Sequence, residues 1–348
     1  MSGIGFRAER KTAQLHDPRR NFELVSVESE VRADPLTGDS ARICHFALNA
    51  APPADLAAIV ATSAAHCPFC PGRIDAITPR YPESLLPGGR LRRGDARLFP
   101  NLFPYDDYSA IVVLCDEHFH AMDAIPARIV VDGLTAARDF VRAVAPAFAG
   151  REAYGVVTWN YMPAAGATQV HPHMQVIVTT NPGNALRRQL DAERGWLARE
   201  GRAYAGMLLD AERAGPRWIG EGDGIAWSVP FAPAGLLGDA QAFFANAATL
   251  AELSDADIAA FAAGLVRVLK GFAARGLWSF NLCLLPDALR AEDGAHRLVA
   301  RLLPRLYLNP ALHVSDVAYM HLLLDEKFAM AWPEAVADGL RAAWNADR

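Results

Sequence analysis

One order of elements occurs twice in this chain: an amphipathic helix, a strand, a loop and a second strand. In the first run, residues 134–148 read as a helix, because Ala137, Phe140, Val141, Val144 and Phe148 recur at spacings of three and four. Residues 155–160 and 170–179 read as strands that pair across the small-residue loop 161–167. In the second run, Ser254 is a helix N-cap with Asp257 three residues on. Behind it, Ile258, Phe261, Leu265, Val268 and Phe272 mark one apolar face. Residues 278–285 and 298–303 read as the strands that follow. The repeated order points to a degenerate internal duplication. The first run carries His171-Pro172-His173; the second carries Arg301 and Leu302 in the comparable place.

The remaining segments are assigned more simply. Residues 1–33 read as a polar lead-in, closed by the turn chemistry of Asp34-Pro35-Leu36-Thr37-Gly38. Residues 78–95, with their prolines and glycines, read as a loop. Residues 109–115 and 225–230 read as strands, 185–213 as one or two connector helices, and 333–345 as a C-terminal helix. The chain has 348 residues, 52% of them apolar and 21% charged, which excludes a disordered protein and allows one large or two medium domains. The net charge of -5 provides no basic field, so nucleic acid is not an expected partner. No 18-residue apolar run is present, so no membrane span is expected, and no signal-like segment opens the chain. The five cysteines are sparse and odd in number, which argues against a disulfide framework and for a reducing cytoplasm.

The sharpest motif is His171-Pro172-His173-Met174-Gln175. On a strand, His171, His173 and Gln175 would share a face. Pro172 lacks an N–H, so this stretch is expected at a sheet edge or a bulge. Two imidazoles and an amide suit a phosphate: one imidazole attacks phosphorus and the amide donates to a non-bridging oxygen. The plainer alternative is a pair of surface histidines. With 10 histidines in the chain, H-x-H-x-Q arises by chance in roughly one shuffled chain in a few hundred.

Cys67-Pro68-Phe69-Cys70 is a weaker signal on its own. Two thiolates at this spacing chelate one metal from a tight turn, and a closed zinc site needs two further ligands. Asp116-Glu117-His118-Phe119-His120 offers His118 or His120, and His171 is a candidate fourth ligand. A redox dithiol or two buried thiols are the competing readings. Asn101 sits in a proline-bounded bend. Asn160 and Thr168 bracket the loop before the histidine pair, where they serve a phosphate, a ribose or merely a turn. Cys115, Cys283, His45 and His321 have no visible partner and read as structural. No G-x-G-x-x-G after a strand, no P-loop and no G-x-S-x-G is present.

Taken together, DPLTG (34–38), CPFCPG (67–72), PNLFP (100–104), the EH of 117–118, WNYMPAAGATQVHPHMQ (159–175), AYMHLLLDE and the downstream PEAVADGLR resemble the galactose-1-phosphate uridylyltransferase branch of the histidine triad superfamily. The matching stretches keep the family's order over most of residues 34–348. The resemblance implies an α+β fold of two histidine-triad-like units, each an antiparallel sheet with flanking helices, in a pseudo-duplicated chain. The expected division is a lead-in (1–33), a catalytic half with a zinc site (34–184), a helical connector (185–224) and a degenerate second half (225–348). It also implies a homodimer that moves a nucleotidyl group through a covalent nucleotidyl-histidine, ping-pong.

Carried over by position, His173 is the nucleophile and Gln175 holds the phosphate. Asn160 and Thr168 position phosphates, and Asn101 touches the nucleoside. Cys67, Cys70, His118 and His171 are ligands of a structural zinc ion. The implied substrate is a nucleoside diphosphate sugar or related nucleotide, with a phosphorylated acceptor or inorganic phosphate as second substrate. Several family positions depart. The basic run after DPLTG reads CHFALNAAPP, with Ala47 and Ala50 where arginines are expected. Leu102 replaces an Asp, and the hexose-binding Glu and Gln fall at Met320 and Glu326. These losses leave a phosphorylase or hydrolase of such nucleotides as the alternative, and a zinc-stabilised nucleotide-binding protein as a third reading.

Overall fold

The computed structural model describes residues 3–44 and 55–346. His45, Ala47 and Ala50 lie outside the described residues. The expected lead-in is a long hairpin: β1 (Arg7–Asp17) and β2 (Glu23–Ala33) pair antiparallel along their whole length, and β3 (Ser40–Cys44) adds to β2. β1 is almost wholly exposed and β2 is exposed or half-buried, so their polar composition reads as linker although the backbone is fully paired. Short helices α1 (Leu56–Ala64) and α2 (Ile74–Ile77) flank the Cys67–Cys70 turn.

The first half then lays down β4 (Leu91–Arg93), β5 (Ala96–Pro100), β6 (Tyr108–Val113), α3 (Ala127–Val144), β7 (Tyr154–Tyr161) and β8 (His173–Thr179). β4 lies inside the stretch expected as a loop. α3 starts seven residues before the sequence suggests, and 145–148 is a 3₁₀ turn that contains Pro146. Two helices follow, α4 (Asn184–Glu200) and α5 (Tyr204–Arg213). The second half repeats the order with β9 (Trp218–Gly222), β10 (Ile225–Ser228), β11 (Ala240–Phe244), α6 (Asp255–Ala273), β12 (Ser279–Leu285) and β13 (Val299–Arg305). The small pair β14 (Tyr307–Asn309) and β15 (Val314–Ser315), then α7 (Tyr319–Leu323), lead to β16 (Lys327–Ala329), which runs parallel to β3. Helix α8 (Pro333–Ala346) is the last described element.

Ten strands form one sheet in the order β4-β5-β6-β8-β7-β12-β13-β11-β10-β9, and the order reads alike from either edge once each strand is exchanged for its counterpart. The internal duplication is thus visible in the topology, with β7 and β12 antiparallel at the centre. α3 and α6 pack against each other on one face, where a single apolar core spans both halves. Glycine permits the closest approaches: a Cβ at Gly155 would stand 2.9 Å from Val141 of α3, and one at Gly264 of α6 would stand 2.4 Å from the Trp227 indole. Ser254 caps α6 as expected, its hydroxyl accepting the Asp257 N–H at 3.1 Å and the Asp257 carboxylate accepting the Ser254 N–H at 3.0 Å.

Strand alternation sends Met174, Val176 and Val178 to the helix face, and so His173 and Gln175 to the opposite one. Among the described residues no helix is long and apolar enough to cross a membrane.

Candidate active site and metal centre

Three expectations for the H-P-H-M-Q stretch change in the structure. The strand begins only at His173, so His171 does not share its face with His173 and Gln175. β8 lies inside the sheet, between β6 and β7, and not at an edge. Pro172 is accommodated because it immediately precedes the first ladder residue; its carbonyl accepts the Leu114 N–H at 3.0 Å, and no N–H is required of it.

Freed from the strand, the His171 ring turns into the cysteine loop. The ligand atoms of Cys67, Cys70, His118 and His171 all lie within 4.8 Å of one another. His171 Nδ1 is 3.7 Å from Cys67 Sγ and 3.6 Å from Cys70 Sγ, and His118 Nδ1 is 3.4 Å from Cys70 Sγ. Tetrahedral zinc with ordinary Zn–S and Zn–N bonds would set sulfur and nitrogen about 3.5 Å apart. The far ring nitrogens are held as metal-binding histidines require. His171 Nε2 donates to the Cys115 carbonyl at 2.8 Å, which leaves the Nδ1 lone pair toward the sulfurs. His118 Nε2 lies 3.0 Å from Ser63 Oγ. Burial pushes both histidines toward the neutral, ligating form, His171 to about 4. The donor set therefore fits a closed metal site. His120 stays outside it, in a separate group with Cys115 and Glu117.

His173 is the hinge between this cluster and a cleft. It is 6% exposed, and its Nδ1 lies 2.8 Å from the His171 carbonyl oxygen. A carbonyl only accepts, so Nδ1 carries the proton and Nε2 carries the lone pair. Burial lowers the His173 pKa, which keeps the ring neutral and nucleophilic. The Phe69 ring, from the Cys67–Cys70 loop, packs on His173 at 5.2 Å between centroids.

The cleft measures about 300 Å³ and is lined by His173, Gln175, Asn160, Thr168, Tyr105, Gly166 and Ala167. Four residues singled out from the sequence thus converge. Asn101 does not line the cleft: its side chain accepts the Phe103 N–H at 3.1 Å inside the proline bend. Tyr105 had no motif to reveal it. Met162, at the start of the loop, is buried with φ 69°, a conformation that costs a non-glycine residue about 1–3 kcal/mol and is common at functional sites. No lysine or arginine lines the cleft, so its polar groups are amides, a hydroxyl, a phenol and backbone.

The second half supports the first through a polar chain that the sequence did not reveal. Asn281 Nδ2 donates to Asn160 Oδ1 at 2.7 Å and to the Ala165 carbonyl at 2.9 Å. Arg305 donates to Asn281 Oδ1 at 2.5 Å and is itself clamped by Asp316. Glu326, at a departed family position, pairs with Arg42 at 3.0 Å. Cys115 and His321 also have partners: the Cys115 carbonyl takes the His171 N–H, and His321 Nδ1 accepts the Ala318 N–H at 3.4 Å.

No protein-family model matches the chain. An uncharacterized protein of Archaeoglobus fulgidus is 28% identical over 331 residues, 91% of this chain and 92% of the relative. Among solved structures, an ADP-glucose phosphorylase from Arabidopsis thaliana with bound ADP-glucose superposes with a TM-score of 0.70 at 18% identity, covering 90% of this chain and 98% of its own. A uridylyltransferase superposes with a TM-score of 0.67 at 20% identity, covering 91% and 99%. The fold is thus the one shared by these two structures, and a GalT-like protein of Arabidopsis thaliana has it as well, with a TM-score of 0.69 at 18% identity.

Proposed function

We propose that this protein is a nucleotidyltransferase that works through a covalent nucleotidyl-histidine on His173. The observation that carries the reading is the 2.8 Å contact between His173 Nδ1 and the His171 carbonyl, which aims the Nε2 lone pair at the cleft beside Gln175. In the first step Nε2 attacks the α-phosphorus of a nucleoside diphosphate sugar or related nucleotide. A P–N bond forms, the bond from phosphorus to the bridging oxygen breaks, and a phosphate monoester leaves. The positive charge that develops on the ring is taken up through Nδ1–H by the carbonyl. In the second step an oxygen of the acceptor attacks phosphorus and returns the electron pair to Nε2.

Gln175 and Thr168 donate to the non-bridging oxygens, Asn160 is held for the same task by Asn281, and Asn101 stands beyond the cleft for the nucleoside. Such transfer needs positioning more than acid–base chemistry when the leaving group is already good. Cys67, Cys70, His118 and His171 would hold a structural zinc ion that rigidifies the segment bearing His173.

In this reading residues 34–184 form the catalytic half, 225–348 the degenerate half, 185–224 the connector and 1–33 an appended hairpin. The protein acts as a cytoplasmic homodimer; exposed Tyr319, Leu322, Leu323 and Leu324 offer apolar surface for it. The second reading, a nucleotide phosphorylase that uses inorganic phosphate as acceptor, is favoured by the lost basic positions at Ala47 and Ala50.

The test is intact-mass spectrometry after mixing with nucleoside diphosphate sugars and dinucleoside polyphosphates, quenched at alkaline pH because phosphohistidine is acid-labile. The expected result is an adduct of one nucleoside monophosphate, absent in His173→Ala. Discharge by a sugar 1-phosphate identifies a transferase, and discharge by inorganic phosphate a phosphorylase. Nucleotide binding without an adduct from any donor would favour the non-catalytic role.

A further inference from the structure

The loop that follows β6 points its ligand-type side chains in two directions. His118 turns toward the cysteine loop, its Nδ1 3.4 Å from Cys70 Sγ. Cys115, Glu117 and His120 gather apart from it. One sulfur, one carboxylate oxygen and one ring nitrogen from these three lie within 4.8 Å of one another. The group shares no residue with the cluster of Cys67, Cys70, His118 and His171.

Local structure brings the three together. β6 ends at Val113, and the Leu114 N–H still bonds the Pro172 carbonyl at 3.0 Å, so Cys115 leaves the sheet from a fixed point. The Cys115 carbonyl accepts the His171 Nε2–H at 2.8 Å, and its thiol donates to the Glu117 carbonyl at 3.5 Å, which folds the next residues back over the sulfur. The His120 carbonyl accepts the Tyr161 hydroxyl, so the far end of the loop is tied to β7.

One atom of the group lacks what buried polar atoms normally have. His120 Nε2 is buried and makes no hydrogen bond. The carboxylate nearest to it, Glu117 Oε2, is 3.9 Å away, beyond hydrogen-bond reach. Zinc with ordinary Zn–N and Zn–O bonds would set nitrogen and oxygen about 3.4 Å apart, a small movement for the Glu117 side chain, which is 52% exposed. Arg128 does not take this place: it bonds Asp95 and stands 3.6 Å from the other carboxylate oxygen, Oε1.

The donor types select the ion. Thiolate and imidazole both favour zinc over magnesium or calcium, and carboxylate accepts it. Thiolate and carboxylate together balance a divalent charge, the thiol proton leaving to solvent as the metal binds. Cys115 is 1% exposed and seats the ion, whereas Glu117 opens to solvent and leaves a fourth position for water. We propose that Cys115, Glu117 and His120 form a second divalent metal site of the zinc class, open where the four-residue cluster is closed. The site stands whether or not His173 carries a nucleotidyl group.

The test is zinc counted by elemental mass spectrometry on the full chain, loaded with zinc sulfate and desalted. The wild type holds about two ions per chain, and Glu117→Ala and His120→Ala hold about one each. A three-donor site releases its ion first, so brief dialysis against dipicolinate takes the wild type to about one ion and leaves both variants unchanged. Glu117 is exposed, so its variant keeps the fold, and an unchanged melting temperature confirms that. An ion count that either variant leaves at the wild-type value overturns the proposal. So does loss of every ion in a variant, which would make these residues supports of the four-residue cluster.

Discussion

The carbonyl that fixes the His173 ring belongs to His171, whose own ring faces Cys67 and Cys70. One residue thus serves two sites with two different groups. Its side chain completes the cysteine–histidine cluster, and its backbone carbonyl sets the tautomer of His173. Pro172 between them restricts the backbone, so the two roles cannot drift apart.

Removal of His173 separates chemistry from folding. His173→Ala should lower turnover at least about a thousandfold, as expected when a covalent nucleophile is lost. Metal content and melting temperature should stay near wild type, because His173 is not among the clustered ligands. Full turnover in this variant would refute the covalent mechanism.

Loss of the metal should act through position. Cys67→Ser, or exhaustive chelation, should remove bound zinc, lower the melting temperature and reduce soluble yield. The rate of adduct formation should fall as well, since the His171 carbonyl loses its anchor. Zinc analysis and thermal melts check this, and unchanged values for both would sink the metal assignment.

Asn281 is predicted to be a positioning residue that acts from the second half. Asn281→Asp keeps the acceptor for Arg305 but removes both donors, so it sets a carboxylate against Asn160 Oδ1 and the Ala165 carbonyl. Displacement of Asn160 should cost about tenfold to a hundredfold in kcat, with a smaller change in KM. Steady-state kinetics on the identified donor decide it; equal kcat in variant and wild type would exclude the role.

The buried His296–Glu193 pair gives a pH signature. Burial alone would lower the His296 pKa, but the Glu193 carboxylate outweighs it and the net shift is upward. A raised folded-state pKa stabilises the protein fully below the unfolded value of about 6.5 and is lost as pH rises through the folded value. The melting penalty of His296→Gln should therefore be larger at mildly acidic pH than at alkaline pH. A penalty that grows with pH would contradict the assignment.

The cap on α6 provides a control away from the chemistry. Ser254→Ala should destabilise by about 1 kcal/mol and leave kcat unchanged. Chemical denaturation beside activity checks both halves of that statement.

Much of this site was legible because its signals are local. The helical spacing of Phe140, Val141 and Val144 and the capping pair Ser254–Asp257 need no distant partner to be recognised. His173, Gln175, Asn160 and Thr168 lie within sixteen consecutive residues, so one loop between paired strands brings them together. The hairpin at 7–33 is hidden from the sequence because its strands bury almost no side chain and its composition is polar; only the partner strand reveals it. Asn281 was missed because its contacts with the site lie more than a hundred residues away in sequence, across β7 and β12, and Arg305 and Asp316 because they reach the site only through Asn281.

The sequence by itself determined helices α3, α6 and α8, the strand pairs that follow α3 and α6, and the residue types gathered in the cleft and the cysteine–histidine cluster. Periodicity, capping and short-range spacing are properties of neighbouring residues. The tertiary structure decided that His118 and not His120 joins the cysteines, that His171 leaves the strand, and that a second-half amide orients a first-half one. These outcomes depend on which strands sit side by side and which face each one buries, and the packing of the common core sets both.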